Sequence, residues 1–134
     1  MPGIGIYTSA IIRDGNRFLL TRHIHIGVPV WLMPGGKPEP DESAKECLIR
    51  ELREELAIEV CDCSFYGAYL SEFNGREWVG LFFQIDSFTG IPEIQEPTKH
   101  SDMEWMTLEE MQKVAIVQPE MGIAKYILSI KNNG

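Results

Sequence analysis

The chain is short of cysteine, short of basic charge and without a long uninterrupted apolar run, and each shortage removes a class of protein. Cysteine occurs three times in 134 residues, at Cys47, Cys61 and Cys63. So odd and sparse a set cannot supply a disulfide framework, and a Cys-x-Cys pair with no histidine nearby lacks zinc-site spacing. Reduced thiols in a reducing compartment are expected. Lysine and arginine total 12 against 20 acidic residues, a formal charge of −8 with a sequence pI of about 4.8. That balance argues against a protein that holds DNA or RNA through a general basic surface, so no stable nucleic-acid complex is expected. A polyanionic ligand would need help, most simply from metal cations. The N-terminal apolar stretch has no basic region before it and is broken by Arg13 and Asp14, too early for a signal peptide or a membrane span. A cytoplasmic location is the expectation. No repeat, low-complexity run or linker divides the chain, so residues 1–134 read as a single domain. Its 44% hydrophobic content is enough for one ordinary core.

Pattern and punctuation place the elements. Gly3 to Arg13 is rich in β-branched and aromatic residues, "DGN" supplies turn chemistry, and "RFLLTRH" follows, which reads as a hairpin. "WLM" is a short strand, and "PGG" stops any regular element after it. Ser43 with Glu46 has the capping-box pattern, opening a helix that runs to about Leu56. Two strands separated by "NGRE" come next, then "HSDMEWM" as a short strand, a second capping box at Thr107 and Glu110, and a helix from Pro119 to Lys131. The expected architecture is α/β, one mixed sheet with helices packed on it.

The helix carries the chemistry. At 100° per residue, Leu48, Ile49, Leu52 and Leu56 fall on one face and should be buried. Glu51, Glu54 and Glu55 share a second face at i, i+3 and i+4 spacing, with side chains roughly 5 to 6 Å apart. The plainer reading is a solvated helix laced with ion pairs, for Glu46 with Arg50 and Arg50 with Glu54 both fit the i, i+4 rule. It leaves Glu51 and Glu55 unexplained, like charges one turn apart at a cost of a few tenths of a kcal/mol. A divalent cation would turn that cost into a site. Hard oxygen donors favour magnesium, with manganese as the alternative, and such a site suits hydrolysis or transfer at phosphorus.

Reading backwards from the cluster, Gly36 is followed by five residues, Glu42, seven residues and "RELREELAI". This resembles the Nudix box, Gly, five of any residue, Glu, seven of any residue, Arg-Glu-aliphatic-any-Glu-Glu-any-Gly-aliphatic, and "PGGK" just ahead is similar to the MutT-like branch. The match runs from Gly36 to Ile58 with one departure, Ala57 in place of glycine. That position often needs positive φ, which costs a non-glycine residue about 1 kcal/mol. The resemblance implies a Nudix-type α/β/α sandwich with a mixed β-sheet. It makes Glu54 and Glu55 metal ligands, Glu51 a ligand or the base acting on water, Arg50 the arginine that orients the carboxylates, and Glu42 and Gly36 supports of the box. The carbonyl of Gly35 is a further candidate ligand, as is a loop acid beyond the box, Glu96 ahead of Glu93 and Glu104.

Arg22 and Lys37 are candidates for substrate phosphates. His23, His25 and His100 have no ligand spacing and read as surface or loop residues, and Trp31 as core packing. Phe73, Trp78, Phe82 and Phe83 are either core or platforms for a base, and the sequence does not separate the two. The function implied is a magnesium-dependent pyrophosphohydrolase acting on a nucleoside di- or triphosphate, oxidised deoxynucleotides among the candidates. It would release nucleoside monophosphate with pyrophosphate or phosphate. The same mechanism on ADP-ribose, a nucleotide sugar or a dinucleotide polyphosphate is the second reading, and a non-hydrolytic nucleotide-binding module is the rival of another class. The partner is a small molecule, no membrane is involved, and the chain is a monomer or homodimer.

Overall fold

The computed structural model describes residues 3–116 and 119–133. Along them run β1 (Gly5–Ile11), β2 (Arg13–Asp14), β3 (Arg17–His23), β4 (Val30–Leu32), β5 (Gly35–Gly36), α1 (Ala44–Leu56), β6 (Glu59–Phe73), β7 (Arg76–Thr89), β8 (His100–Thr107), α2 (Leu108–Met111) and α3 (Glu120–Asn133). No helix among the described residues is long and apolar enough to cross a membrane.

The strands form two sheets. The first is mixed, in the order β5-β1-β7-β6, with β1 parallel to β7 and antiparallel to β5, and with β6 and β7 as a long antiparallel hairpin. The hairpin turns at Asn74 and Gly75, both at positive φ, the backbone that an Asn-Gly signal favours. In the second, all antiparallel, β3 carries β8 along one edge, while β2 and β4 share the other. The mixed sheet expected from the element order is the first of these. The second is not announced by element order, since β8 returns to β3 from the far end of the chain.

Two expected details change. Of the hairpin read between the first two strands, only Arg13–Asp14 pairs with Arg17 and Phe18, and β1 lies in the other sheet. Ala10, Ile11 and Ile12 are all buried, and a strand apolar on both faces belongs inside a sheet. The "PGG" stretch does not end regular structure either. Gly35 and Gly36 pair with Ser9 and Thr8, and a side chain at Gly35 would collide with the Thr8 carbonyl, so glycine is what lets the backbones meet.

Two apolar clusters occupy the opposite faces. Ile11, Phe18, Leu20 and Phe82 pack with Met111, Met121, Ile123, Ala124 and Ile127 of the α2 and α3 side. Ala10, Ile12, Leu19 and Phe83 pack with Leu48, Leu52 and Leu56 of α1. Adjacent residues of one strand thus feed different layers, which is why "FLL" and "AII" are apolar without alternation. Trp31 is half-buried against the first cluster, as expected. The three cysteines are free.

Helix α1 opens on Ser43 with the reciprocal capping box to Glu46. The Glu46 carboxylate accepts the Ser43 N–H at 2.9 Å and is committed there, so the Glu46–Arg50 pair expected from spacing does not form, while Arg50–Glu54 does, at 3.2 Å. The buried face comprises Cys47, Leu48, Leu52, Glu55 and Leu56. Ile49 is only partly buried, so the helix is rotated from its simplest apolar mapping to press Glu55 inward. Its C-cap is Ala57, left-handed at φ 58° and ψ 32°, with its N–H donated to the Arg53 carbonyl at 3.1 Å.

Candidate active site

The residues of the box meet where α1 passes beneath the β5 strand. A side chain at Gly36 would strike the Glu51 carboxyl group, so the two glycines allow the helix carboxylates to lie directly against the loop backbone. Thr8 and Cys47 tie the same place from below. The Thr8 hydroxyl donates to the Gly36 carbonyl at 3.1 Å and lies 3.3 Å from the buried Cys47 thiol.

Arg50 organises the acids. Its Nε and Nη2 donate to the two oxygens of Glu42 at 2.7 and 3.0 Å, and its Nη1 donates to Glu51 Oε1 at 2.9 Å and Glu54 Oε2 at 3.2 Å. The forked pair is the geometry that guanidinium makes and lysine cannot. This partner, with the Glu39 N–H, holds the Glu42 carboxyl down at about 2. Glu51 moves the other way. Burial, then the neighbouring Glu55 charge, push it up to about 7 against the pull of Arg50.

Glu55 is the most secluded of the set at 5% exposure. Burial raises its pKa, offset in part by His100. His100 Nε2 lies 3.2 Å from Glu55 Oε1, within ion-pair distance, yet among the described residues neither ring nitrogen of His100 makes a hydrogen bond, nor does Glu55 Oε2. Glu96 completes the group, for one donor atom each from Glu55, Glu96 and His100 lie within 4.8 Å of one another. The loop carrying Glu96 is held by α1 itself, through Glu93 N–H to the Leu56 carbonyl at 3.0 Å and Gln95 N–H to the Glu55 carbonyl at 2.9 Å. Bonds to the last carbonyls of a helix are available to any passing strand, and here they deliver an acid.

A cavity of about 580 Å³ opens beside the carboxylates, lined by Gly35, Gly36, Lys37, Glu51 and Glu55 on one wall and by Tyr7, Trp78, Arg76 and Glu120 among others. Lys37 Nζ lies 5.0 Å and Arg76 Cζ 4.4 Å from the centre of the Trp78 ring. Glu120, at 1% exposure, accepts the Met33 N–H at 3.2 Å, and burial pushes its pKa up to about 8.

The sequence pattern of a NUDIX domain matches residues 4–124. The chain belongs to the Nudix family. It is 28% identical over 132 residues to a CTP pyrophosphohydrolase of Escherichia coli strain K12, covering 98% of this chain and 96% of that protein. It is likewise 28% identical over 129 residues to an NAD-capped RNA hydrolase NudC of Pseudomonas entomophila, covering 96% of this chain. The chain spans 45% of the length of that NudC relative. Among solved structures, a MutT NUDIX hydrolase from Burkholderia pseudomallei superposes with a TM-score of 0.80 at 25% identity, over 92% of this chain and 96% of that one.

Against this Nudix frame, Glu51, Glu55, Gly35, Gly36 and Lys37 gather at the cavity, and Glu96 joins Glu55. Glu54 is exposed and turned to Arg50, and Glu93 and Glu104 are exposed. Arg22 is not brought to the cavity. Strand alternation puts it on the opposite face of β3 from Thr21 and His23, where it donates to Ser101 Oγ at 3.0 Å. Two histidines correct the reading of surface or loop residues. His23 is in β3 and His100 in β8, paired in register and buried, with ring centres 4.5 Å apart. Burial, then His100 and His25, push the His23 pKa down to about 3, which keeps it neutral. His25 is exposed, as expected. Of the four aromatics, Phe82 and Phe83 are core while Phe73 and Trp78 line the cavity. Glu120 and Arg76 were not legible as site residues. His100 had one signal, four positions after Glu96, a spacing that a single turn can bring together.

Proposed function

We propose that this Nudix protein is a magnesium-dependent pyrophosphohydrolase that cleaves a phosphoric anhydride of a nucleoside di- or triphosphate. The products are nucleoside monophosphate and phosphate or pyrophosphate. The observation that carries the reading is the buried, unpartnered Oε2 of Glu55 beside Glu51 on the wall of a nucleotide-sized cavity. A buried carboxyl group short of donors is costly to ionise, and a bound cation shared with the neighbouring acids relieves that cost. The donor set fits a hard divalent ion, with Glu54, Glu55, Glu96 and the Gly35 carbonyl as the residues that would hold it. When bound, such an ion supplies polarisation of a phosphoryl oxygen and counter-charge for the phosphates.

The chain's own groups supply the rest. Glu51 Oε1 is engaged by Arg50, which leaves Oε2 to take the proton of an attacking water. Lys37 and Arg76 present cations at the cavity for the phosphates, and Trp78 presents an aromatic ring. Glu120, protonated at neutral pH, offers a donor and an acceptor to the edge of a base. Arg22 takes no part.

A nucleoside triphosphate is favoured because the CTP pyrophosphohydrolase relative is matched along nearly its whole length. The second reading keeps the mechanism on ADP-ribose, a nucleotide sugar or a dinucleotide polyphosphate, and the relatives named NAD-capped RNA hydrolase support a substrate of that wider kind. The test is phosphate and pyrophosphate release from nucleoside di- and triphosphates, oxidised deoxynucleotides, ADP-ribose and dinucleotides, with and without magnesium. Glu51→Gln and Glu54→Gln are the controls. Magnesium-dependent turnover that falls about a hundredfold in the variants is expected. Turnover untouched by either variant would sink the role assignment, and nucleotide binding without release of any product would establish the non-hydrolytic module instead.

A further inference from the structure

The imidazole of His100 stands inside the acidic cluster, its Nε2 3.2 Å from Glu55 Oε1, with no hydrogen bond to either nitrogen among the described residues. It is 1% exposed, so bulk solvent does not reach it. Buried polar atoms are seldom left unpaired, and here Nδ1, Nε2 and Glu55 Oε2 lack a hydrogen bond together among the described residues. Apart from Glu55, the nearest side chains do not supply the missing bonds. His23 meets the ring edge-on and its Nε2 is engaged by the Thr21 hydroxyl at 3.1 Å. Lys99 is half exposed and pairs with Glu96 Oε2 at 3.3 Å. His25 lies 6.1 Å away between ring centres.

We propose that Glu55, Glu96 and His100 form a mixed nitrogen and oxygen subsite that selects a borderline transition-metal ion such as manganese or cobalt over magnesium, with His100 as the nitrogen donor. The inference rests on the reading of Glu55 as a metal ligand and goes beyond it in assigning a histidine and a metal preference. Two donors on one ion at about 2.1 Å are about 3.0 Å apart across an octahedral edge and about 3.4 Å apart across a tetrahedral one. The 3.2 Å between His100 Nε2 and Glu55 Oε1 falls between these. The pair stands at ion-pair distance, and the same separation is what two ligands of a shared ion show. Imidazole nitrogen raises affinity along the series from manganese towards copper and does little for magnesium, whose sites are built from oxygen. A site of carboxylates alone has no such bias.

The experiment uses the metal-stripped full chain with Mn²⁺ as the probe, read by pulsed electron paramagnetic resonance for coupling to nitrogen. Coupling should appear in the wild type, change when histidine carries ¹⁵N, and vanish in His100→Gln. Competition with Mg²⁺ should show the preference for Mn²⁺ falling by about tenfold in that variant. If His100→Gln fails to fold, the double variant His23→Gln, His25→Gln decides the point. The chain has three histidines, so coupling kept in the double variant assigns it to His100, and coupling lost there overturns the proposal. Bound Mn²⁺ with no nitrogen coupling in the wild type also overturns it, and leaves the magnesium hydrolase reading standing. Failure of Mn²⁺ and Mg²⁺ to bind at all would overturn both.

Discussion

Glu120 sits at the first position of α3, sealed from solvent, with Oε2 taking the Met33 N–H and Oε1 unpartnered. Burial lifts its pKa from the usual 4.5 to about 8. Because the folded value is the higher, the folded chain keeps a proton that the unfolded chain releases between those limits. Its contribution to stability is therefore complete below pH 4.5 and is lost as pH rises through 8. A gap of about three and a half pH units, at about 1.4 kcal/mol each, sets a ceiling of about 5 kcal/mol. Relaxation and water entering the cavity lower it, so roughly 2 to 4 kcal/mol is expected. Glu120→Gln keeps an acceptor for Met33 and a donor in place of the acid hydroxyl, but cannot ionise. Urea unfolding of the metal-free wild type and variant from pH 5 to pH 8.5 measures the difference. The variant should gain on the wild type by those roughly 2 to 4 kcal/mol across the range. Glu51, also raised, gives both proteins a shared residual slope. Parallel stability curves with a constant offset would refute the reasoning, because they would mean that Glu120 ionises as readily folded as unfolded.

Three further outcomes follow from single contacts. Ala57→Gly should raise stability by about 0.5 to 1 kcal/mol, since the left-handed C-cap is strained for alanine, and an unchanged urea midpoint would count against that. Arg50→Lys breaks the forked pair to Glu42, so the Glu42 carboxyl should titrate well above about 2 by NMR while turnover falls at least tenfold. Leu52→Ala, in the middle of the fully buried α1 face, should cost about 2 to 5 kcal/mol in chemical unfolding without altering metal binding at the saturating concentrations that keep it folded.

The glutamate cluster was legible because helix geometry and chemistry point the same way. Spacing of 3 and 4 puts Glu51, Glu54 and Glu55 together in any α-helix, and the capping box at Ser43 fixes where that helix starts. The Nudix fold follows from the same box read with its glycines. Even the odd residue was informative, for Ala57 adopts the left-handed backbone that the box position demands of glycine. What spacing could not say is how the three acids differ. Exposure separates them into a surface acid at Glu54, a half-buried one at Glu51 and a sealed one at Glu55, and that order is set by what packs above α1 from other parts of the chain.

The features that stayed hidden all depend on contacts between distant segments. His23 and His100 look like scattered polar residues until β3 and β8 pair them in register. Arg22 and His23 are neighbours in sequence, yet alternation sends one to Ser101 and the other to His100 at the cavity wall. Glu120 looks like an ordinary acid in a helical first turn. It is buried because α3 closes over Met33 and Tyr7, and the chain there holds an acid that favours its neutral form at the wall of the cavity. A purely structural position would be filled at less cost by an apolar residue of similar size. That an ionisable group occupies it, on the same cavity as Glu51, is the physical reason to look for a ligand that needs both a donor and an acceptor there.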